Sequence, residues 1–98
     1  MMTFFKSTKV HEGGLKNHEL LYYILETGIE IDEYHNAVVY GIQVDKTEFT
    51  TSEISESKLI KDITTSKDNI MGLAQKLYNG IVTPTSLPEI IDDYISAY

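Results

Sequence analysis

The segment ELLYYILETG, Glu19 to Gly28, decides the fold because it can be read two ways. Leu21, Ile24 and Leu25 share one helical face, with Asn17 as a cap and Gly28 as a stop. The unbroken apolar run Leu20 to Leu25 suits a buried strand equally, and the doubled tyrosine beside Ile24 favours a pleated surface. The next residues tip the balance. In GIEIDE, Gly28 to Glu33, Ile29 and Ile31 alternate with Glu30 and Asp32, which is the period of a half-buried strand. The segment is read as a strand, with Gly28 turning it into the next one.

AVVYGIQVD, Ala37 to Asp45, is the clearest strand in the chain: Val38, Tyr40, Ile42 and Val44 lie on one face, Val39, Gly41 and Gln43 on the other. A turn is expected at Glu33 to Asn36 before it and another at Lys46-Thr47 after it. The polar stretch from Thr47 to Thr64 carries one or two further strands, with Leu59, Ile60 and Ile63 reaching the core. Residues 1–18 form an N-terminal arm or an edge strand built on Phe4, Phe5 and Val10, with Gly13-Gly14 and Asn17 breaking the pattern.

Helices come last. Ile70, Leu73, Ala74 and Leu77 recur at helical spacing, capped by Thr65 with Asp68 or by Ser66 with Asn69, and Asn79-Gly80 ends the helix. Ile81 to Pro84 is an extended connector, because a residue before proline is driven out of the helical region. Ser86-Leu87-Pro88-Glu89 then has capping-box spacing, with Pro88 in the first turn, where a missing N–H leaves nothing unpaired. Leu87, Ile90, Ile91, Tyr94 and Tyr98 make one apolar stripe, to be buried against the sheet, with Asp92 and Asp93 on the solvent side. The expected fold is α+β: one domain over 19–98, a small antiparallel sheet of three to five strands followed by two C-terminal helices.

Composition narrows the function. The chain has 98 residues, 42 % of them apolar, a formal charge of −7 and no cysteine, so disulfides, thiolate metal sites and a Cys nucleophile are excluded. All eight basic residues are lysine. An acidic chain without Arg lacks the rigid fork that grips phosphate and guanine, which speaks against nucleic acid as a partner. No stretch approaches the roughly 20 apolar residues of a membrane span, and the N-terminus has no signal-like apolar run. The expectation is a cytoplasmic protein with no membrane partner.

The motif YGI at 40–42, the helix end LYNGIVTP and the following LPEIIDDYI resemble a family of short proteins of unknown function from clostridia and related Firmicutes. The resemblance covers roughly residues 19–96. It implies an antiparallel sheet containing the YGI strand and two C-terminal helices separated by a Val-x-Pro connector. It carries over no catalytic residue, and where usual members have His two residues after the connector proline this chain has Ser86.

No constellation amounts to a reactive site. His11-Glu12 and His18-Glu19 are seven apart, not one helical turn, and Gly13-Gly14 lies between them, so no metal is expected. His35 reads as a surface residue in a turn. Glu89, Asp92 and Asp93 share an exposed helical face near an N-terminus, where the helix dipole favours them. Gly13-Gly14 is not a phosphate loop. Gly41, in mid-strand, marks either a bulge or close packing, or else the floor of a small-ligand site. Seven tyrosines exceed what one small core encloses, and exposed Tyr is favoured at interfaces. The leading expectation is a non-catalytic module, without cofactor, that binds a protein partner or itself as a homodimer through a sheet face or edge. The competing one is an acidic regulator or decoy for a basic protein, founded on the Lys-free block Glu19 to Glu33, and an enzyme stands third.

Overall fold

The computed structural model describes residues 1–10, 17–48 and 53–96. Four strands, β1 (Met2–Val10), β2 (His18–Glu30), β3 (Asn36–Glu48) and β4 (Ile54–Thr64), form an antiparallel sheet in the order β1-β2-β3-β4. Two helices follow, α1 (Lys67–Asn79) and α2 (Leu87–Ser96). The fold is therefore α+β as expected, with residues 1–10 forming an edge strand.

Both helices lie on one face of the sheet. Leu20, Tyr22 and Ile24 from β2 and Ile42 and Val44 from β3 meet Ile70, Leu73, Ala74 and Leu77 of α1 and Leu87 and Ile91 of α2 in one buried cluster. The buried phenol of Tyr22 donates to the carbonyl of Val82 at 2.9 Å, tying the middle of the sheet to the connector between the helices. Strands of 13 residues run about 43 Å, whereas a 13-residue helix spans about 20 Å. Helix α1 therefore covers only part of the sheet, and the far end of the β2–β3 hairpin projects beyond it. This accounts for a long axis of 56 Å and for the exposure of Ile29, Ile31 and Tyr34.

Several sequence expectations are corrected. Gly28 does not turn the chain: it sits inside β2 opposite Val38, and the turn comes at residues 32–34, where the Asp32 carboxylate accepts from the Tyr34 N–H at 2.8 Å. Lys46-Thr47 is not a turn either, because pairing with β2 carries β3 on to Glu48. Leu59 lies opposite Gln43 on the sheet's other face, while Ile60 and Ile63 do pack against the core. Helix α2 starts at Leu87, where the Ser86-Leu87-Pro88-Glu89 spacing puts it, with the Ser86 carbonyl accepting from the Ile90 N–H at 3.3 Å, but a turn leads into it. The Thr83 carbonyl accepts from the N–H groups of Ser86 and Leu87, so winding begins at Thr83-Pro84, and Ser86 Oγ accepts from Thr83 Oγ1 at 3.3 Å. Pro84, expected as the end of an extended connector, instead occupies the first turn of this winding. In α2, Leu87 and Ile91 are fully buried and Ile90 and Tyr94 only partly so. Expectations at His11 to Gly14, in the polar stretch at 49–52 and at Tyr98 lie outside the described residues.

The first helix behaves as its sequence indicates at its start, where Ser66 Oγ accepts from the Asn69 N–H at 3.1 Å. Its end differs in detail. Gly80 stays in the right-handed region at φ −86°, and Ile81 takes the left-handed conformation at φ 53°. The Ile81 and Val82 N–H groups reach back to the carbonyls of Tyr78 and Leu77, the two bonds of a Schellman cap, here with a β-branched residue where glycine is usual.

Candidate functional site: the bare face of the sheet

Cross-strand partners share a face, so the register maps the side that no helix covers. Met2 pairs with Leu25 and Phe4 with Tyr23; Tyr23 pairs with Gln43 and Gln43 with Leu59; Thr27 pairs with Val39. Together these residues make an apolar field across all four strands. Met2 is 40 % exposed and Phe4 52 %, and Leu21, Tyr23, Leu25, Val39 and Leu59 are half-buried. Phe4 and Tyr23 meet edge to face on the β1–β2 side of the field, with ring centroids 5.6 Å apart. Three inter-strand gaps of about 4.8 Å and six residues of about 3.3 Å, plus a side-chain margin, give a field of roughly 500 Å². That matches the size of contiguous apolar patches that carry function on soluble proteins.

One end of this face is polar. Asp45, opposite Leu21, is 5 % exposed and accepts from Ser57 Oγ at 2.5 Å and Gln43 Nε2 at 2.9 Å. The Tyr23 phenol is held above its ordinary pKa, first by burial and then by the negative charges of Asp45 and Glu19. It is a neutral hydrogen-bonding group at pH 7, suited to an interface with one apolar and one polar side.

The edges of the sheet are blunted, which leaves the face as the larger open surface. In β1 the pairing shifts between Phe4 and Lys6, turning Phe5 towards the core, and Lys6 and Lys9 punctuate the strand. In β4, Tyr40 pairs with Thr64 and Ile42 with Ile60, so Gly41 alone faces the three residues Lys61 to Ile63 of a bulge in which Asp62 has φ 57°. Charges and bulges on edge strands discourage addition of another strand. The bulge also explains Gly41. A Cβ there would collide with the Ile60 carbonyl oxygen and lie 3.0 Å from Lys61 Cα, so the space is filled by backbone and not left for a ligand.

The remaining candidates are small or dispersed. A cleft of about 120 Å³ lies between Ile63, Asn69, Tyr94 and Ile95, and one of about 260 Å³ between Tyr40, Glu26, Lys67 and Met71. Both fall below the range of roughly 300 to 1,000 Å³ typical of ligand pockets. Among the described residues, no group of three or more His, Asp or Glu is placed to hold a metal ion. His35, expected as a surface residue, is exposed, and its Nδ1 lies 2.8 Å from an Asp32 carboxylate oxygen. The Tyr34 N–H, and after it His35, hold the Asp32 carboxyl below its ordinary range. This pair closes the hairpin turn, a local role not anticipated from the sequence. The acidic block does not form a patch: Glu19 and Glu26, seven residues apart on β2, emerge on opposite faces, and Glu30 to Glu33 lie at the hairpin tip. Glu89, Asp92 and Asp93 are exposed along α2, as expected.

Of the tyrosines, Tyr22 is buried, Tyr40, Tyr78 and Tyr94 flank the core, Tyr23 lies on the bare face and Tyr34 is 85 % exposed at the hairpin tip. The sequence does not single out Phe4 and Leu25 as interface residues; the signal for them is the strand period of two, which sets Phe4 on the face opposite Thr3 and Leu25 on the face opposite Ile24. No described helix is long and apolar enough to cross a membrane. A protein-family model described only as of unknown function matches residues 1–97, which takes in the N-terminal strand as well as the segment from 19 onwards. Neither the curated proteins nor the solved structures give a match.

Proposed function

The chain belongs to DUF6514, a family of unknown function, and with no activity to inherit we propose that it is a non-catalytic interaction module that docks a protein through the bare face of its sheet. One observation carries this reading: an apolar field of roughly 500 Å², which includes the Phe4–Tyr23 pair, faces away from both helices. Blunted edges favour docking by the face over addition of a strand. The acidic-decoy reading is weaker, since the carboxylates of residues 19–33 are spread over two faces and a projecting tip. The reading places the protein in the cytoplasm of a Firmicutes bacterium, with lysine-only basicity and abundant isoleucine pointing to an AT-rich genome.

Site-specific photo-crosslinking in cells tests it. A benzophenone side chain in place of Phe4 is expected to give a discrete protein adduct, and the same group in place of Asp92, on the outer face of α2, none. Adducts from position 92 with none from position 4 would sink the proposal.

A further inference from the structure

We propose that the partner on the bare face is a second copy of this chain, stacked sheet on sheet about a two-fold axis, an inference that rests on that face being the interaction surface. Electrostatics favour this partner. Each chain carries −7, so two copies repel wherever carboxylates meet. Exposed acids occupy the outer face of α2 at Glu89, Asp92 and Asp93, the hairpin tip at Glu30, Asp32 and Glu33, and β4 at Glu56 and Asp62. The carboxylates on this face, Glu19 and the buried Asp45 held by Ser57 and Gln43, lie at its polar end, and the field beyond them, with Met2, Phe4, Tyr23, Leu25, Val39 and Leu59, carries no charged group. It is the broad surface on which like-charged chains can come together. A basic partner would be drawn instead to the acidic surfaces.

Geometry agrees with this. Apolar sheet faces pack about 10 Å apart with interdigitating side chains. Two-fold symmetry makes the contact self-complementary: the field of one copy meets the same field of the other, and whatever residue Phe4 touches across the interface is touched in return by Phe4 of the other copy. A field of roughly 500 Å² per copy lies at the small end of specific interfaces, so the dimer is expected to dissociate in about the micromolar range.

Sedimentation equilibrium on the full chain, with variants and a salt series, provides the test. The wild type should be dimeric at high concentration, and its affinity should rise several-fold between about 50 mM and about 500 mM NaCl as salt screens the mutual repulsion. Phe4→Glu, at a half-exposed position, should give a monomer with an unchanged far-ultraviolet spectrum; Met2→Glu serves in its place should Phe4→Glu fail to fold. Ile95→Glu and Met71→Glu, at exposed sites on the helix side of the sheet, should leave the dimer intact. A wild type that stays monomeric throughout the series overturns the self-association. It leaves the docking face to be judged by the crosslink from position 4, whose adduct would then not have twice the mass of the chain. A dimer that survives Phe4→Glu and Met2→Glu but is lost on Ile95→Glu or Met71→Glu overturns both the stacked dimer and the choice of face.

Discussion

Ile81 holds a left-handed backbone at φ 53° because the cap that ends α1 requires it, at a cost of about 1 kcal/mol or more for a β-branched residue. Ile81→Gly relieves that strain and adds unfolded-state entropy, so a net gain of about 0.5 kcal/mol is expected in urea denaturation; a clear loss would show that the Ile81 side chain contributes more than its backbone costs. Gly41 is the reverse case. The β4 backbone occupies the position of a Cβ, so Gly41→Ala should lower stability by about 2 to 4 kcal/mol, and a melting curve within experimental error of wild type would refute the bulge. Tyr22 makes a pH prediction. Burial first, and the neighbouring Tyr78 second, push its phenol up to about 12 from 10.0. Below pH 10 the phenol is protonated in both states and its stabilising contribution is complete. Between the two values the unfolded chain releases the proton first, so stability falls as pH rises towards 12. Urea midpoints should therefore drop between pH 9 and pH 11, and drop less in Tyr22→Phe, which starts lower by about 1 to 2 kcal/mol because the Val82 carbonyl loses its donor. Equal drops in the two proteins would assign the alkaline loss to other groups.

At the scale of elements, the last helix is a docked structural part. Ile91 is fully buried in the core cluster and Asp92 faces solvent, so Ile91→Ala should cost about 2 to 4 kcal/mol and Asp92→Asn no more than about 0.5 kcal/mol. Thermal melts of the two variants check both values, and an unmoved melt for Ile91→Ala would contradict the docking of α2. Both helices were legible because helical periodicity is local: Ile70, Leu73, Ala74 and Leu77 specify a buried stripe without help from the rest of the chain. The start of α2 at Leu87 was legible in Ser86-Leu87-Pro88-Glu89; the turn over residues 84–86 that leads into it was not, because Pro84 alone reads as the end of an extended connector. The extent of β2 was missed for a related reason. Gly28 is a turn residue by composition, yet pairing with Val38 across the hairpin keeps it extended, a tertiary constraint that no local window contains.

For the whole molecule, the sequence showed that β2 and β3 have two faces but not that both helices would choose the same one. Period-two alternation assigns Tyr22 and Tyr23 to opposite sides, and only the packing of α1 and α2 decides which becomes core. The candidate site was legible as an excess of tyrosine; its composition, with Phe4, Leu25 and Leu59 prominent, follows from strand register. The most direct test of its role is hydroxyl-radical footprinting, comparing dilute purified protein with the protein at its native level in cells. If the bare face is the docking surface, labelling of Met2, Phe4 and Tyr23 should fall several-fold in cells while Tyr34 and Met71, exposed elsewhere, stay as reactive as in the dilute protein. Protection of Tyr34 or Met71, with Phe4 labelled equally in both settings, would contradict it.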